Sequence, residues 1–142
     1  MINKKEEAIA ALKKAIEIDP DYAKAYSNLG AVYSGMNKHQ DAIISLKKAI
    51  EINPDLEEAY YNLGVVYEAI GKEEAAIGAY KKAIEINPAY AKAYNNLSVI
   101  YLHQQEYKLA IEYCDKADAL GFTNPALSEA LKPYREQGQL EE

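Results

Sequence analysis

The sequence has no tryptophan, one phenylalanine and one cysteine, and none of its apolar stretches approaches the roughly 20 residues that cross a bilayer. The single cysteine, Cys114, excludes an internal disulfide and any zinc site built from several cysteines. Charged residues near the N-terminus interrupt the uniform apolar core that a signal peptide requires. From these absences we expect a cytoplasmic protein without membrane insertion.

Positive charge is also scarce, with 16 basic against 22 acidic residues and a formal net charge of −6. Affinity for phosphates depends on clustered lysine and arginine, so this balance argues against a nucleic-acid partner and against an anionic membrane surface. The hydrophobic fraction of 49% in 142 residues is typical of a globular protein. One folded domain over residues 1–142 is therefore predicted.

Catalytic and metal-binding motifs are missing as well. His39 and His103 lie far apart and have neither an HxxxH partner nor a neighbouring cysteine, so no metal site is predicted. Cys114 falls in a row of apolar residues, which favours a buried, inert thiol over a nucleophile. We expect no enzyme activity, no cofactor and no metal.

What the sequence does contain is a repeat of 34 residues. Pro20, Pro54 and Pro88 are each 34 residues apart, and residues 23–56 and 57–90 are identical at 18 of 34 positions. Within each repeat, two stripes recur at helical spacing, one with Tyr, Leu and Gly or Ser and one rich in alanine. Members of the first stripe are Tyr26, Leu29, Gly30 and Tyr33, then Tyr60, Leu63, Gly64 and Tyr67, then Tyr94, Leu97, Ser98 and Tyr101. The second stripe comprises Ala42, Leu46 and Ala49, then Ala76, Tyr80 and Ala83, then Ala110, Cys114 and Ala117.

This order of residues resembles the tetratricopeptide repeat family, with tyrosine where the family pattern most often has tryptophan. The small residues in both stripes predict that the two helices of a repeat cross closely. The resemblance implies an all-α, right-handed superhelical solenoid of antiparallel helix pairs. It also implies that the first helix of each pair lines a concave groove.

The predicted organisation is a half repeat, three full repeats and a capping helix. These segments are 1–22, 23–56, 57–90, 91–124 and 125–142. Eight helices are expected at about 3–18, 22–35, 39–52, 56–70, 73–86, 90–103, 107–119 and 125–136. Asn124 is a good N-cap for the last helix, whereas Pro133 should bend or end that helix early.

The resemblance predicts a protein-interaction scaffold that binds a peptide or partner segment on the first helices. On each of them, the stripe opposite the packing face carries asparagine and small apolar residues, unlike an ordinary face of Glu and Lys. The predicted binding residues are Lys24, Asn28, Ala31, Glu58, Tyr61, Asn62, Val65, Lys92, Asn96, Val99, Leu102 and His103.

Two ways of using this stripe remain open. Asn28, Asn62 and Asn96 are similar to the asparagine row in the repeats of O-linked GlcNAc transferase, which implies a ladder that binds a peptide backbone. The carboxylate clamp of chaperone-binding repeats is matched only at Asn62 and Lys92, so strong capture of an acidic tail is not expected.

Two alternative functions are a self-assembly module and a repeat arm of a larger multidomain protein. Residues 3–18 have the pattern of a second helix, but the first helix that should cover Ala8, Leu12 and Ala15 is missing from the sequence. An apolar strip facing water predicts a weak homo-oligomer through the N-terminal helix.

Overall fold

Eight helices make up the secondary structure of the residues that the structure describes. The computed structural model covers the backbone of residues 3–140 and the side chains of residues 3–138. The helices are α1 (Lys4–Ile18), α2 (Ala23–Gly35), α3 (His39–Ile52), α4 (Glu57–Ala69), α5 (Glu73–Ile86), α6 (Ala91–His103), α7 (Tyr107–Ala119) and α8 (Pro125–Leu140). Every helix end except the C-terminal end of α8 lies within one residue of its predicted position, because helical periodicity is a local property of the sequence.

The turn inside each helical hairpin uses the left-handed backbone region. Asn37, Gly71 and Gln105 occupy the same position of the repeat and have φ of 59°, 76° and 62°. This conformation ends the first helix of the hairpin. It also lets the backbone N–H of the following residue donate a hydrogen bond to a carbonyl in the last turn of that helix. The resulting N–H to carbonyl distances are 2.9 Å for Lys38 to Tyr33, 2.8 Å for Lys72 to Tyr67 and 2.9 Å for Glu106 to Tyr101.

The turn between hairpins depends on the residue before each proline. The side-chain oxygens of Asp19, Asn53 and Asn87 each accept a hydrogen bond at 3.1 Å from the backbone N–H two residues further on. An Asx turn of this kind offers the backbone an alternative to the helix. Together with the proline, it ends one hairpin and begins the next.

The helices pack as two compact units, Met1–Ile86 and Asn87–Glu142. In the first unit α2 packs along α3 and α4 along α5, while α1 packs on α2 and α3 on α4. Its core is built from small and branched side chains of α3, α4 and α5: Ala42, Leu46, Ala49, Ala59, Leu63, Val66 and Ala79. In the second unit α6 packs along α7 and α8 rests on α7. The single domain over residues 1–142 stays a prediction.

The predicted close crossing of the paired helices is present. A β-carbon added to Gly30 would lie 2.5 Å from Cγ of Leu46, and one added to Gly64 would lie 2.6 Å from the Tyr80 ring. The first, second and third hairpins are α2–α3, α4–α5 and α6–α7. In the third hairpin the same position holds Ser98, whose hydroxyl donates a hydrogen bond to the Ala110 carbonyl at 2.6 Å. The stripe of small residues therefore lets each second helix approach the backbone of the first.

The capping helix α8 has the predicted N-terminus but is longer than expected. The Asn124 side chain accepts a hydrogen bond from the Leu127 N–H at 3.2 Å, and Leu127 and Leu131 are buried. The expectation that Pro133 shortens the helix is wrong, since α8 continues through it to Leu140. Both Pro133 and Glu129 are exposed, so water can take the carbonyl that the proline leaves without a donor.

Candidate functional site

Seven of the predicted binding residues lie together on α2 and α4, which pack side by side in the first unit. We call this surface the asparagine face: Lys24, Asn28 and Ala31 on α2, and Glu58, Tyr61, Asn62 and Val65 on α4. Each of these side chains is exposed or half-buried. The helical spacing places them opposite the buried stripe that packs on α3 and α5, so they are accessible without any change in the core.

The amides of Asn28 and Asn62 are available for a ligand. Both side chains are half-buried, and neither bonds to another of the described residues. A side-chain amide offers two donors and one acceptor, which can pair with a peptide N–H and C=O. Half-burial restricts the conformations of such a group before a ligand arrives, which lowers the entropic cost of binding.

Sequence reasoning missed one polar pair beside this face. Tyr80 is completely buried, yet its hydroxyl reaches the carboxylate of Glu68 on α4 and donates a hydrogen bond to it. The Tyr80 ring also lies 5.7 Å from the ring of Tyr61, measured between centroids. Glu68 follows Tyr61 by seven residues and Val65 by three, and this helical spacing was the signal that could have placed it on the asparagine face.

The five binding residues predicted on α6 belong to the second unit. They are Lys92, Asn96, Val99, Leu102 and His103, all exposed or half-buried. Here the asparagine is not free, because the side-chain amide of Asn95 donates a hydrogen bond to Asn96 Oδ1 at 3.1 Å. Asn95 in turn accepts one from Asn124 at 2.9 Å, which ties α6 to the N-cap of α8. Asn96 therefore differs chemically from Asn28 and Asn62.

On α1, the predicted self-association residues are less covered than their counterparts in later hairpins. Ala8, Leu12 and Ala15 are half-buried. The residues 34 positions later, Ala42, Leu46 and Ala49, are completely buried against α2. Ile18, at the end of α1, is 76% exposed.

The remaining titratable candidates have local roles. Cys114 is buried as predicted, and burial raises the pKa of its thiol, with a further increase from the Asp118 carboxylate. The described residues contain no group of three or more His, Cys, Asp or Glu side chains that could hold a metal ion. Between residues 3 and 140, no helix combines the length and the apolar character required to cross a bilayer.

Family models match most of the chain. A model described as TPR repeat matches residues 2–37 and 35–71, and two models described as tetratricopeptide repeat match residues 57–90 and 79–112. No curated protein has a matching sequence.

Solved structures of MamA are similar in fold and in sequence. One MamA crystal structure is 35% identical with a TM-score of 0.75, over 82% of this chain and 68% of that one. A second is 33% identical with a TM-score of 0.76, over 92% of this chain and 72% of the other. A MamA double mutant is 25% identical with a TM-score of 0.72, over 82% and 66%. These matches confirm the predicted fold class, an all-α helical-repeat solenoid.

Proposed function

The chain belongs to the tetratricopeptide repeat family, and from that premise we propose that it binds an extended segment of a partner polypeptide on the asparagine face. In coarser terms it is a protein-interaction repeat scaffold. The observation that carries the finer proposal is the pair of amides, Asn28 and Asn62, on adjacent helices without partners among the described residues. The family fold and the MamA-like neighbours are typical of non-enzymatic scaffolds, and we propose no catalytic role for this chain.

The spacing of the two amides suits an extended peptide. Packed helices lie about 8–10 Å apart, and an extended chain rises about 3.3 Å per residue. Equivalent groups on α2 and α4 therefore meet peptide groups three residues apart. Ala31 and Val65 supply a small apolar surface between the amides and the hairpin turns, where a side chain of the peptide can rest.

The predicted residues of α6 are proposed as a contact surface of their own, with a different chemistry. Asn96 already accepts the Asn95 amide, so Lys92, Val99, Leu102 and His103 would contribute more to binding there than the asparagine does. A nucleic-acid partner is not proposed, because the net charge of −6 opposes phosphate binding.

Asn62→Ala should weaken peptide binding by about 1–2 kcal/mol while leaving the free energy of unfolding nearly unchanged. The amide has no partner among the described residues, so its loss removes only contacts to the ligand. Affinity capture from the source organism would provide genuine partner peptides, and calorimetry would measure their affinity for each variant.

The matched control is Gln40→Ala, which removes an exposed amide from α3. Its affinity for the same peptide should equal that of the unmodified chain. Unchanged affinity in Asn62→Ala together with lost affinity in Gln40→Ala would place the binding site on the second helices and would refute the proposal.

Self-association through α1 is the second candidate function. The observation that favours it is the half-exposure of Ala8, Leu12 and Ala15, whose counterparts are wholly buried by a neighbouring helix. The proposed occupant is α1 of a second copy, in a two-fold symmetric contact. Association would be weak, since one helix face buries little apolar area against the entropic cost of pairing.

Leu12→Glu should abolish this association, because a carboxylate at the centre of the strip would be desolvated without a partner. Light scattering across a concentration series should give a mass that rises with concentration for the unmodified chain and a constant monomer mass for the variant. Ala11→Glu, on the exposed side of α1, is the control and should associate normally. A strict monomer at high micromolar concentration, or a dimer that survives Leu12→Glu, would contradict the proposal.

A further inference from the structure

The α2–α3 hairpin has an open cavity that is separate from the asparagine face. Its volume is about 480 Å³, within the range of small ligand pockets. The lining residues are Tyr26, Ile44, Ser45, Lys47, Lys48 and Glu51. Ile44 is 59% exposed at its rim, so it offers apolar surface to a ligand.

In the third hairpin, a tyrosine ring occupies the corresponding place. Tyr94, Tyr113 and Lys116 follow Tyr26, Ser45 and Lys48 by two full repeats. The rings of Tyr94 and Tyr113 lie 6.0 Å apart between centroids. The ammonium of Lys116 lies over both rings, 5.2 Å from the centroid of Tyr113 and 6.0 Å from that of Tyr94. In the third hairpin, the ring of Tyr113 therefore fills the place that is open in the first hairpin.

The first hairpin lacks this ring because Ser45 is too short to supply it. The consequence is visible in the exposure of the neighbouring tyrosines. Tyr94 and Tyr101 are buried in the third hairpin, and Tyr101 stacks on Tyr113 at 5.5 Å. Their counterparts Tyr26 and Tyr33 are only half-buried.

The lysine beside the cavity, Lys48, also has an internal counterpart in Lys116. Lys48 pairs with Glu51 at 3.1 Å, as Lys116 pairs with Glu112 at 3.0 Å, so a lysine held by a carboxylate stands beside the ring position in both hairpins. Lys47 differs, since it is exposed and forms no ion pair with another described residue. The rim of the cavity therefore has one uncompensated positive charge.

We propose that this cavity binds an aromatic side chain of a partner polypeptide, with an acidic residue next to it. The aromatic ring would pack on Tyr26 with Lys48 over its face, which reproduces the arrangement of Tyr113, Tyr94 and Lys116. The acidic neighbour would pair with Lys47 at the rim. This site is independent of the asparagine face, and it gives the chain a second interaction surface.

The probe is the tripeptide Glu-Tyr-Glu, acetylated at its N-terminus and amidated at its C-terminus. It is titrated into the isotope-labelled chain to about 10 mM, and binding is followed by nuclear magnetic resonance. We expect shifts concentrated at the amides of Tyr26, Ser45 and Lys48. Affinity should be about fivefold higher than for Glu-Leu-Glu, which lacks the ring, or for Lys-Tyr-Lys, which reverses the charge. Equal affinity for all three peptides would overturn the proposal.

Two variants test the location. Ser45→Tyr should place the chain's own ring in the cavity, as in the third hairpin, and abolish the shifts. Ile44→Glu should weaken binding of the acidic peptide about fivefold through repulsion at the rim. The control Ile18→Glu, at an exposed position of α1, should bind normally.

If Ser45→Tyr does not fold, its spectrum shows this. The location of the site is then tested by Ile44→Glu alone, because Ile44 is exposed. Undiminished binding in Ile44→Glu would refute the proposal, as would peptide shifts centred on Asn28 and Asn62. Binding that persists in Asn62→Ala but is lost in Ile44→Glu would support a site distinct from the asparagine face.

Discussion

Replacing Tyr80 by alanine is expected to lower the free energy of unfolding by about 4 kcal/mol. The side chain is completely buried, and its ring packs directly on the backbone at Gly64 and beside Tyr61. Alanine would leave a cavity between α4 and α5 and would also remove the hydrogen bond from Tyr80 to Glu68. Urea denaturation followed by circular dichroism measures the change.

Two matched variants separate packing from hydrogen bonding at this position. Tyr80→Leu installs the residue that Leu46 supplies in the first hairpin, so it should cost less than half as much as alanine. Tyr80→Phe keeps the ring and removes the hydroxyl, at an expected cost of about 1–2 kcal/mol. A cost for Tyr80→Phe equal to that of Tyr80→Ala would show that the bond to Glu68 dominates and that the packing account is wrong.

Gly30→Ala is expected to lower the free energy of unfolding by about 2 kcal/mol, even though alanine is the better helix former. The new β-carbon would lie 2.5 Å from Cγ of Leu46 and 3.2 Å from the carbonyl oxygen of Ala42. The carbonyl belongs to the backbone of α3 and Leu46 is completely buried, so either the helices separate or the Leu46 side chain is forced into another conformation. The steric cost therefore exceeds the gain in helix propensity.

Gly78→Ala is the natural control, because a β-carbon there meets no atom within 4 Å. The same substitution should then raise the free energy of unfolding by about 0.5–1 kcal/mol through helix propensity alone. In the third hairpin the small position holds Ser98 and the facing residue is Cys114, which is smaller than leucine. Adding Leu46→Cys to Gly30→Ala should accordingly recover part of the lost stability. Destabilisation of equal size at Gly30 and Gly78 would contradict the steric explanation.

The asparagine row illustrates where prediction from the sequence ends. Asn28, Asn62 and Asn96 occupy one row of the repeat, and the sequence presents them as equivalent. The structure distinguishes them, because Asn96 accepts the Asn95 amide, whereas the other two make no bond to a described residue. Asn95 is held by Asn124, which lies 29 residues further along the chain. No periodic pattern contains a contact of that kind.

The sequence by itself determined the helices, their packing faces and all their ends except the C-terminal end of α8. Each of these features follows from residues within one or two helical turns, and the same local pattern occurs three times with a period of 34 residues. Only the tertiary structure decided which polar groups pair with one another and where the surface of the described residues stays open. The bond from Tyr80 to Glu68 and the cavity beside Ser45 each depend on side chains brought together from different helices. Their sizes and partners differ between repeats, so a pattern that averages over the repeats cannot predict them.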